Sequence, residues 1–170
     1  MKMKHLFSSL IIILILAHVS SAYASSYDYL IIAKDGSGNF RSIQEALNSL
    51  QSTSDNHILF IRNGIYNEKI LIEKSNVSLV GENKDSTIIE YAILRSTWKL
   101  THPNDYGAAV INIKDSITDI IFLNVTVHNN YGSLNNSTDH QFSIRSGAGV
   151  TRVIIDNCKI ISDGGDINVR

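Results

Sequence analysis

The clearest pattern in the chain is an alternation of apolar and polar residues that occurs twice. Residues 117–129 (ITDIIFLNVTVHN) align with residues 150–162 (VTRVIIDNCKIIS) after a shift of 33 positions. In both copies the apolar positions are two apart, which is the period of a strand with one buried face. A weaker copy lies earlier, at Val77–Gly81 (VSLVG). The chain therefore repeats one short strand pattern three times.

Each copy contains a residue type that tolerates left-handed backbone geometry, namely Asn124, Asn157 or Gly81. Each copy is therefore predicted to form a strand, a sharp corner and a second strand. The side-chain amides of Asn124 and Asn157 are expected to hydrogen-bond to each other, because polar groups turned inward need partners.

Short bent strands that recur along a chain cannot bury their apolar faces alone, but stacked copies can. The pattern predicts an all-β fold, a single-stranded right-handed parallel β-helix. In it Ile120 is expected to lie beside Val153, and Phe122 beside Ile155. The alternative is a β-sandwich that contains two similar strands by chance.

Residues 42–50 have the pattern of an amphipathic helix. Ser42 and Glu45 match a capping box, and Ile43 and Leu47 fall on one apolar face. A helix at this place would cover the open end of the stack, so it is predicted to be the N-terminal cap.

The remaining segments follow from the same alternation and from turn residues. Residues 63–64 (Asn-Gly) indicate a turn, 91–106 an excursion from the stack, and 128–141 a polar insertion without regular structure that lines the binding face. Further strands are predicted at 27–33, 58–61, 70–72, 87–89 and 108–113.

Residues 1–24 have the features of a signal peptide. Lys2 and Lys4 precede an apolar run at residues 10–17, and Ala22 and Ala24 form a small-residue cleavage pattern. The run is shorter than the roughly 20 apolar residues that a membrane span needs. We therefore expect a secreted protein, without a membrane anchor after cleavage, whose domain occupies residues 25–170.

The composition and charge of the chain indicate which kinds of partner to expect. The 170 residues are 44% hydrophobic and 18% charged, with a formal net charge of −1. Nucleic-acid binding is not expected, because it usually requires a clustered excess of Lys and Arg. The single cysteine, Cys158, falls at an apolar position and is predicted to be a buried structural thiol.

Four tripeptides match the N-glycosylation acceptor pattern, and such tripeptides are frequent by chance in corners rich in asparagine. They begin at Asn76, Asn124, Asn135 and Asn136.

Four blocks of sequence together resemble the pectin methylesterases (pectinesterases), which are secreted parallel β-helix enzymes. The blocks are 33–47 (AKDGSGNFRSIQEAL), 61–72 (IRNGIYNEKILI), 77–82 (VSLVGE) and 120–129 (IIFLNVTVHN). The resemblance implies hydrolysis of the methyl esters of galacturonate units in pectin (methylated homogalacturonan), without metal or organic cofactor. It also implies a monomer when the chain is complete.

The resemblance places the family's aspartate nucleophile at Asp166, after the strand that contains Cys158. A carboxylate nucleophile needs rigid positioning and nearby donors for the developing charge. The resemblance assigns an oxyanion donor to Gln141, although its spacing to Arg145 is one residue shorter than usual. The family has glutamine directly before this aspartate, whereas this chain has Gly165. Without the resemblance, residues 163–166 would be interpreted as a solvated turn.

The chain stops at Arg170, before the segments where the family's second catalytic aspartate and its substrate-binding arginine would follow. We therefore expect a β-helix that is truncated at its C-terminus, and the fragment itself could be inactive. The alternatives are a non-catalytic polysaccharide-binding β-helix and a pectate lyase-like enzyme. A lyase usually has a calcium-binding carboxylate cluster, whereas the acidic residues here are scattered.

Overall fold

The computed structural model describes residues 27–51 and 56–164. The predicted signal peptide and Asp166 lie outside the described residues. Within them lie twelve strands and three short helices: β1 (Tyr27–Ile32), α1 (Ile43–Ser49), β2 (Asn56–Ile61), β3 (Gly64–Asn67), β4 (Ile70–Ile72), β5 (Val77–Gly81), β6 (Thr87–Glu90), α2 (Arg95–Lys99), β7 (Ala109–Ile113), β8 (Thr118–Leu123), β9 (Thr126–Asn129), α3 (Tyr131–Asn135), β10 (Phe142–Ser146), β11 (Thr151–Asp156) and β12 (Lys159–Ser162).

The strands form three parallel sheets that run along the stack. The first sheet has the order β1-β2-β5-β8-β11, the second β3-β6-β9-β12, and the third β4-β7-β10. Each full coil contributes one strand to each sheet, as β2-β3-β4 do. The predicted all-β parallel β-helix is confirmed. The sandwich alternative is wrong, because sandwich sheets are antiparallel.

The register of the first sheet agrees with the alignment of the three sequence copies. Equivalent apolar residues pair between neighbouring strands, and their side chains form columns through the core. The columns are Val77–Ile120–Val153 and Leu79–Phe122–Ile155. The fully buried Phe122 lies in the middle of its column, so it packs against a neighbour in the coil before and the coil after.

The corner after the first sheet is built differently in the three copies. Asn124 and Asn157 have φ values of 56° and 46°, as predicted for left-handed corners. Gly81 does not have a positive φ. A Cβ atom at Gly81 would lie 2.2 Å from the backbone oxygen of Asn124. The explanation predicted for Gly81 is therefore wrong, and close approach of the next coil requires the glycine.

Helix α1 is the predicted N-terminal cap, since Ile43 is fully buried and Leu47 is 6% exposed. The Ser42 hydroxyl accepts from the amide of Glu45 at 3.3 Å, as a capping box predicts. The carboxylate that receives the first helical amides, however, belongs to Glu68. It accepts from the amide of Ile43 at 3.1 Å and from that of residue 44 at 3.0 Å. The cap is thus fixed by a residue from the first coil.

The side chain of Gln44 attaches α1 to the edge of the third sheet. Its oxygen accepts from the Leu71 amide at 2.7 Å, and its amide nitrogen donates to the Leu71 carbonyl oxygen at 3.2 Å. Both backbone groups of one edge residue in β4 are therefore satisfied by a helix side chain, which blocks further strand pairing there.

The sequence prediction missed two strands, β3 and β10, and two helices, α2 and α3. β3 begins at Gly64, within the predicted turn at residues 63–64, and β10 is a short strand with polar residues. The insertion at 128–141 is not without structure, because its first two residues belong to β9 and α3 occupies Tyr131–Asn135. The excursion at 91–106 is confirmed, and it contains α2.

Cys158 is half-buried, not buried as predicted, because β11 and β12 are the outermost strands of their sheets. Burial raises the pKa of the Cys158 thiol, so the neutral thiol is favoured. None of the helices in the described residues is long and apolar enough to cross a membrane.

Candidate active site

The polar residues at the ends of β9 and β12 meet the start of β10. We call His128, Asn129, Gln141, Asp163 and Gly164 the corner cluster. The strand pairing places residue 162 beside Asn129, so the turn that follows β12 lies beside the insertion that follows β9. Consecutive coils thus bring two loops, more than 30 residues apart, to one corner of the helix.

Gln141, the predicted oxyanion donor, lies directly against the turn that leads to Asp166. A Cβ atom at Gly164 would be 2.4 Å from the Nε2 atom of Gln141 and 2.8 Å from the backbone oxygen of Asp139. Only glycine fits there. The two segments that were predicted to act together are therefore neighbours, while Asp166 itself lies outside the described residues.

The Gln141 amide is fully buried and already makes hydrogen bonds. Its Oε1 atom accepts from the backbone amide of Gly132 at 3.0 Å, and its Nε2 atom donates to the carbonyl oxygen of Asp139 at 3.3 Å. An amide nitrogen carries two protons, so one remains available for another acceptor. In the structure these bonds join α3 to the segment that precedes β10.

His128 and Asp163 are joined by a hydrogen bond of 2.8 Å between Nε2 and Oδ1. Both side chains are mostly buried, with 24% and 20% exposure. Partial burial raises the pKa of the Asp163 carboxyl, but hydrogen bonds from Ser133 and His128 outweigh it, and the pKa of Asp163 is lowered. Asp163 is therefore ionised at neutral pH.

The buried carboxamide of Asn129 joins three segments. Its Nδ2 atom donates to the carbonyl oxygens of Ile93 at 2.9 Å and Phe142 at 3.0 Å. Its Oδ1 atom accepts from the amides of Ile93 at 3.2 Å and Tyr131 at 3.3 Å. Four hydrogen bonds to one buried side chain fix the excursion, the insertion and β10 relative to one another.

Sequence reasoning missed the roles of Asn129, His128 and Asp163. A signal was present in the 33-residue shift, because it aligns Asn130 with Asp163 and so places Asp163 one coil beyond the end of β9. The alignment stopped at residue 162, where the apolar alternation ends.

A groove of about 550 Å³ lies between the excursion and β4. Its wall includes Trp98, whose ring has Lys69 Nζ 3.6 Å from its centroid and His102 stacked at 3.5 Å. The two neighbours must occupy opposite faces, because a shared face has no room for both. Burial lowers the pKa of Lys69. Trp98 also packs against the small apolar cluster of Ala108, Ala109 and Phe142.

No group of three or more His, Cys, Asp or Glu side chains within residues 27–51 and 56–164 could hold a metal ion.

Curated relatives of the chain are pectinesterases. A pectinesterase/pectinesterase inhibitor of Arabidopsis thaliana is 42% identical over 62 residues, which cover 36% of this chain and 12% of the relative. Pectinesterase A of Dickeya dadantii is 27% identical over 121 residues, which cover 70% of this chain and 33% of the relative. The chain thus spans at most about a third of these two proteins.

Solved structures share the fold. A pectin methylesterase in complex with a hexasaccharide superposes with a TM-score of 0.65 at 21% identity, over 82% of this chain and 46% of that one. Pectin methylesterase from carrot gives a TM-score of 0.60 at 20% identity, over 76% of this chain and 38% of that one. Identities this low support the parallel β-helix fold and nothing finer.

The family is shown by a match that covers most of the chain. The pectinesterase family model aligns with residues 29–164, which include the α1 cap, all three sheets and the corner cluster. By this match, the chain belongs to the pectinesterase family.

Proposed function

We propose that the protein, expressed from its full reading frame, is a carboxylic ester hydrolase that removes methyl groups from the galacturonate units of pectin. The observation that carries the proposal is the contact between the Gln141 amide and Gly164 within a chain of this family. It supports the proposal because Gln141 is an amide donor beside the turn after β12, and an acyl-transfer site needs such a donor near its nucleophile.

The proposed reaction has two stages. The Asp166 carboxylate oxygen bonds to the ester carbonyl carbon, the carbon–methoxy bond breaks, and the departing methoxide takes a proton from solvent water and leaves as methanol. Water then attacks the resulting anhydride, which restores the carboxylate and leaves a free galacturonate. In both stages a negative charge develops on the carbonyl oxygen, and the free proton of the Gln141 amide would be hydrogen-bonded to that oxygen.

Asp163 is assigned a supporting role. Its lowered pKa makes it ionised at neutral pH, so it is a poor proton donor for the departing methanol. Its hydrogen bond with His128 instead fixes the turn after β12 against the end of β9. A fixed turn would hold Asp166 at a constant distance from Gln141.

The proposed substrate is a partly methylated polyuronate. One of the similar solved structures is a pectin methylesterase in complex with a hexasaccharide, so that protein binds an extended sugar chain. In this chain the groove beside Trp98 offers the Lys69 ammonium, which suits a polymer that carries carboxylates. We propose secretion to an extracellular site, because residues 1–24 match a signal peptide.

The burial of Gln141 favours one alternative, a non-catalytic polysaccharide-binding β-helix. Both ends of that amide are satisfied by backbone groups, so a purely structural role would explain its position. Binding would then use the groove and would not require Asp166.

The test is to incubate the protein with highly methylated pectin and to measure methanol and unsaturated products. We expect methanol with no rise in the absorbance of unsaturated products, and no methanol from unmethylated polygalacturonate as the matched substrate. Unsaturated products would show a pectate lyase-like enzyme. Binding of pectin without either product would show the non-catalytic alternative.

A further inference from the structure

The four acceptor tripeptides for N-linked glycans differ in their exposure to solvent and in the hydrogen bonds of their side chains. In a folded glycoprotein the sugar must project into solvent from the amide nitrogen of asparagine, since it is bulky and hydrophilic. The tripeptides at Asn76, Asn124, Asn135 and Asn136 can therefore be ranked by exposure and by the hydrogen bonds of their side chains.

The tripeptide at Asn124 is built into the stack. The Asn124 side-chain oxygen accepts from Asn157 at 2.7 Å, one coil away. Its third residue, Thr126, is 5% exposed and donates its hydroxyl to the carbonyl oxygen of Lys84 at 2.7 Å. A glycan at this corner would separate two coils.

The tripeptide at Asn76 also lies between coils. The backbone amide of Asn76 donates to the backbone carbonyl oxygen of Thr118 at 3.1 Å, and the backbone carbonyl oxygen of Asn76 accepts from the backbone amide of His57 at 2.8 Å. Its third residue, Ser78, is half-buried in β5, the central strand of the first sheet. This site is therefore also restricted by the stack.

The last two tripeptides overlap on α3 and the loop after it, and they differ in their side chains. The Nδ2 atom of Asn135, which would carry the sugar, donates to the carbonyl oxygen of Tyr131 at 2.9 Å. Its third residue, Ser137, is half-buried, and the Ser137 hydroxyl accepts from the amide of Asp139 at 3.3 Å. The Asn135 amide nitrogen and the Ser137 hydroxyl, which glycosylation requires, are thus both engaged in hydrogen bonds.

Asn136 is exposed and ends α3 in the left-handed conformation, with φ and ψ both 48°. Its third residue, Thr138, is exposed too. Within the part of the chain that the structure describes, no group hydrogen-bonds to the Asn136 carboxamide. A sugar on the Asn136 side chain would therefore break no hydrogen bond.

We infer that Asn136 is the N-glycosylation site of this protein when it passes through a eukaryotic secretory pathway. The inference depends on export by residues 1–24 and not on the proposed esterase activity. The loop is held firmly, because a Cβ atom at Gly132 would lie 2.7 Å from the Ser137 carbonyl oxygen and 2.8 Å from the Asp163 carbonyl carbon. The glycan would therefore stand at the edge of the corner cluster.

The overlap provides a matched pair of variants. Thr138→Ala removes the acceptor pattern of Asn136 and keeps that of Asn135. Ser137→Ala removes the pattern of Asn135 and keeps that of Asn136, because the middle position accepts any residue but proline. The full chain with its leader is secreted from a yeast host. Its mobility is then compared before and after treatment with peptide N-glycosidase F.

We expect the secreted wild-type chain and Ser137→Ala to shift on treatment, and Thr138→Ala to lose the shift. Peptide mass mapping of the wild type, which does not depend on any variant folding, should locate the Asn-to-Asp conversion left by the enzyme at residue 136. Conversion only at Asn76, Asn124 or Asn135, or an unmodified secreted chain, would overturn the inference.

Discussion

The side-chain amide nitrogen of Asn157 donates a hydrogen bond of 2.7 Å to the side-chain oxygen of Asn124, the equivalent residue of the preceding coil. Both residues have left-handed backbone, and Lys84 Nζ donates to the Asn157 oxygen at 3.0 Å. Asparagine suits this corner for two reasons: it tolerates positive φ, and its side-chain amide can both donate and accept hydrogen bonds.

Two substitutions at Asn124 separate these contributions. Asn124→Gly keeps the backbone conformation and loses the side-chain hydrogen bond, so it should cost about 0.5–1.5 kcal/mol. Asn124→Ala also places an ordinary residue at φ 56°, which should add about 1–3 kcal/mol. Denaturant unfolding of both variants measures the difference. Equal losses would mean that the corner stores no backbone strain.

The Phe122 column provides the second prediction. Phe122 is fully buried between Leu79 and Ile155, so Phe122→Ala should cost about 3–5 kcal/mol through the cavity that it opens. Ile154 on the same sheet is 53% exposed, and Ile154→Ala should change stability by about 0.5 kcal/mol or less. Similar losses at the two positions would contradict the stacked core.

The third prediction concerns Glu68. Its carboxylate accepts from the Ser42 hydroxyl at 2.7 Å and from the first amides of α1, so Glu68→Ala should cost about 1–2 kcal/mol and loosen the cap. Glu45 is exposed, and Glu45→Ala is the matched control within the sequence-predicted capping box. Hydrogen exchange at Ile43 and Gln44 measures the local effect. Faster exchange in Glu45→Ala than in Glu68→Ala would restore the original capping prediction.

The fold could be predicted from the sequence to the extent that its causes are local and repeated. The columns through Phe122 and the Asn124 corner follow from a period of two and a shift of 33 residues. Glu68 could not be predicted, because it lies 25 residues from the amide that it caps. For the same reason the strong local match of Ser42 with Glu45 suggested the wrong carboxylate.

The candidate site was harder to predict, since its contacts join different coils. His128 and Asp163 are 35 residues apart, and the apolar alternation that gives the register ends before either loop. α3 was missed because one polar helical turn has no apolar period to detect. Gln141 and the segment after Cys158 were identified through family resemblance, and their contact through Gly164 is visible only in the structure.

The fourth prediction is a dependence of stability on pH. The pKa of Asp163 is lowered from its ordinary value of 3.8, so its stabilising effect is present above that value and is lost as the pH falls through the lowered pKa. Asp163→Asn should therefore reduce stability at neutral pH and flatten the loss of stability on acidification. Unfolding curves of wild type and variant, measured from neutral pH to below 3.8, should converge at the acid end.

The exposed pair of Asp119 and Arg152 is the control for that experiment, because the hydrogen bond from Arg152 also lowers the pKa of Asp119. Added salt should screen the effect of Asp119→Asn more than that of Asp163→Asn, since the second pair is mostly buried. Curves for Asp163→Asn and wild type that stay parallel at all pH values would show that the His128 pair does not stabilise the fold.

The last prediction tests where the chemistry lies. In the protein expressed from its full reading frame, Asp166→Asn should abolish methanol release from methylated pectin, because the acyl-enzyme can no longer form. Gln141→Glu keeps an oxygen for the Gly132 amide but loses the donor, so methanol release should fall about 10²–10³-fold. Asp156→Asn, a change at an exposed carboxylate at the end of β11, should leave the rate unchanged.

Asp163→Asn should reduce the rate without abolishing it, because the His128 pair positions the turn and does not react. If the Asp166→Asn variant remained active and the Asp163→Asn variant was inactive, the nucleophile would be Asp163. The nucleophile would then lie three residues earlier in the chain than proposed.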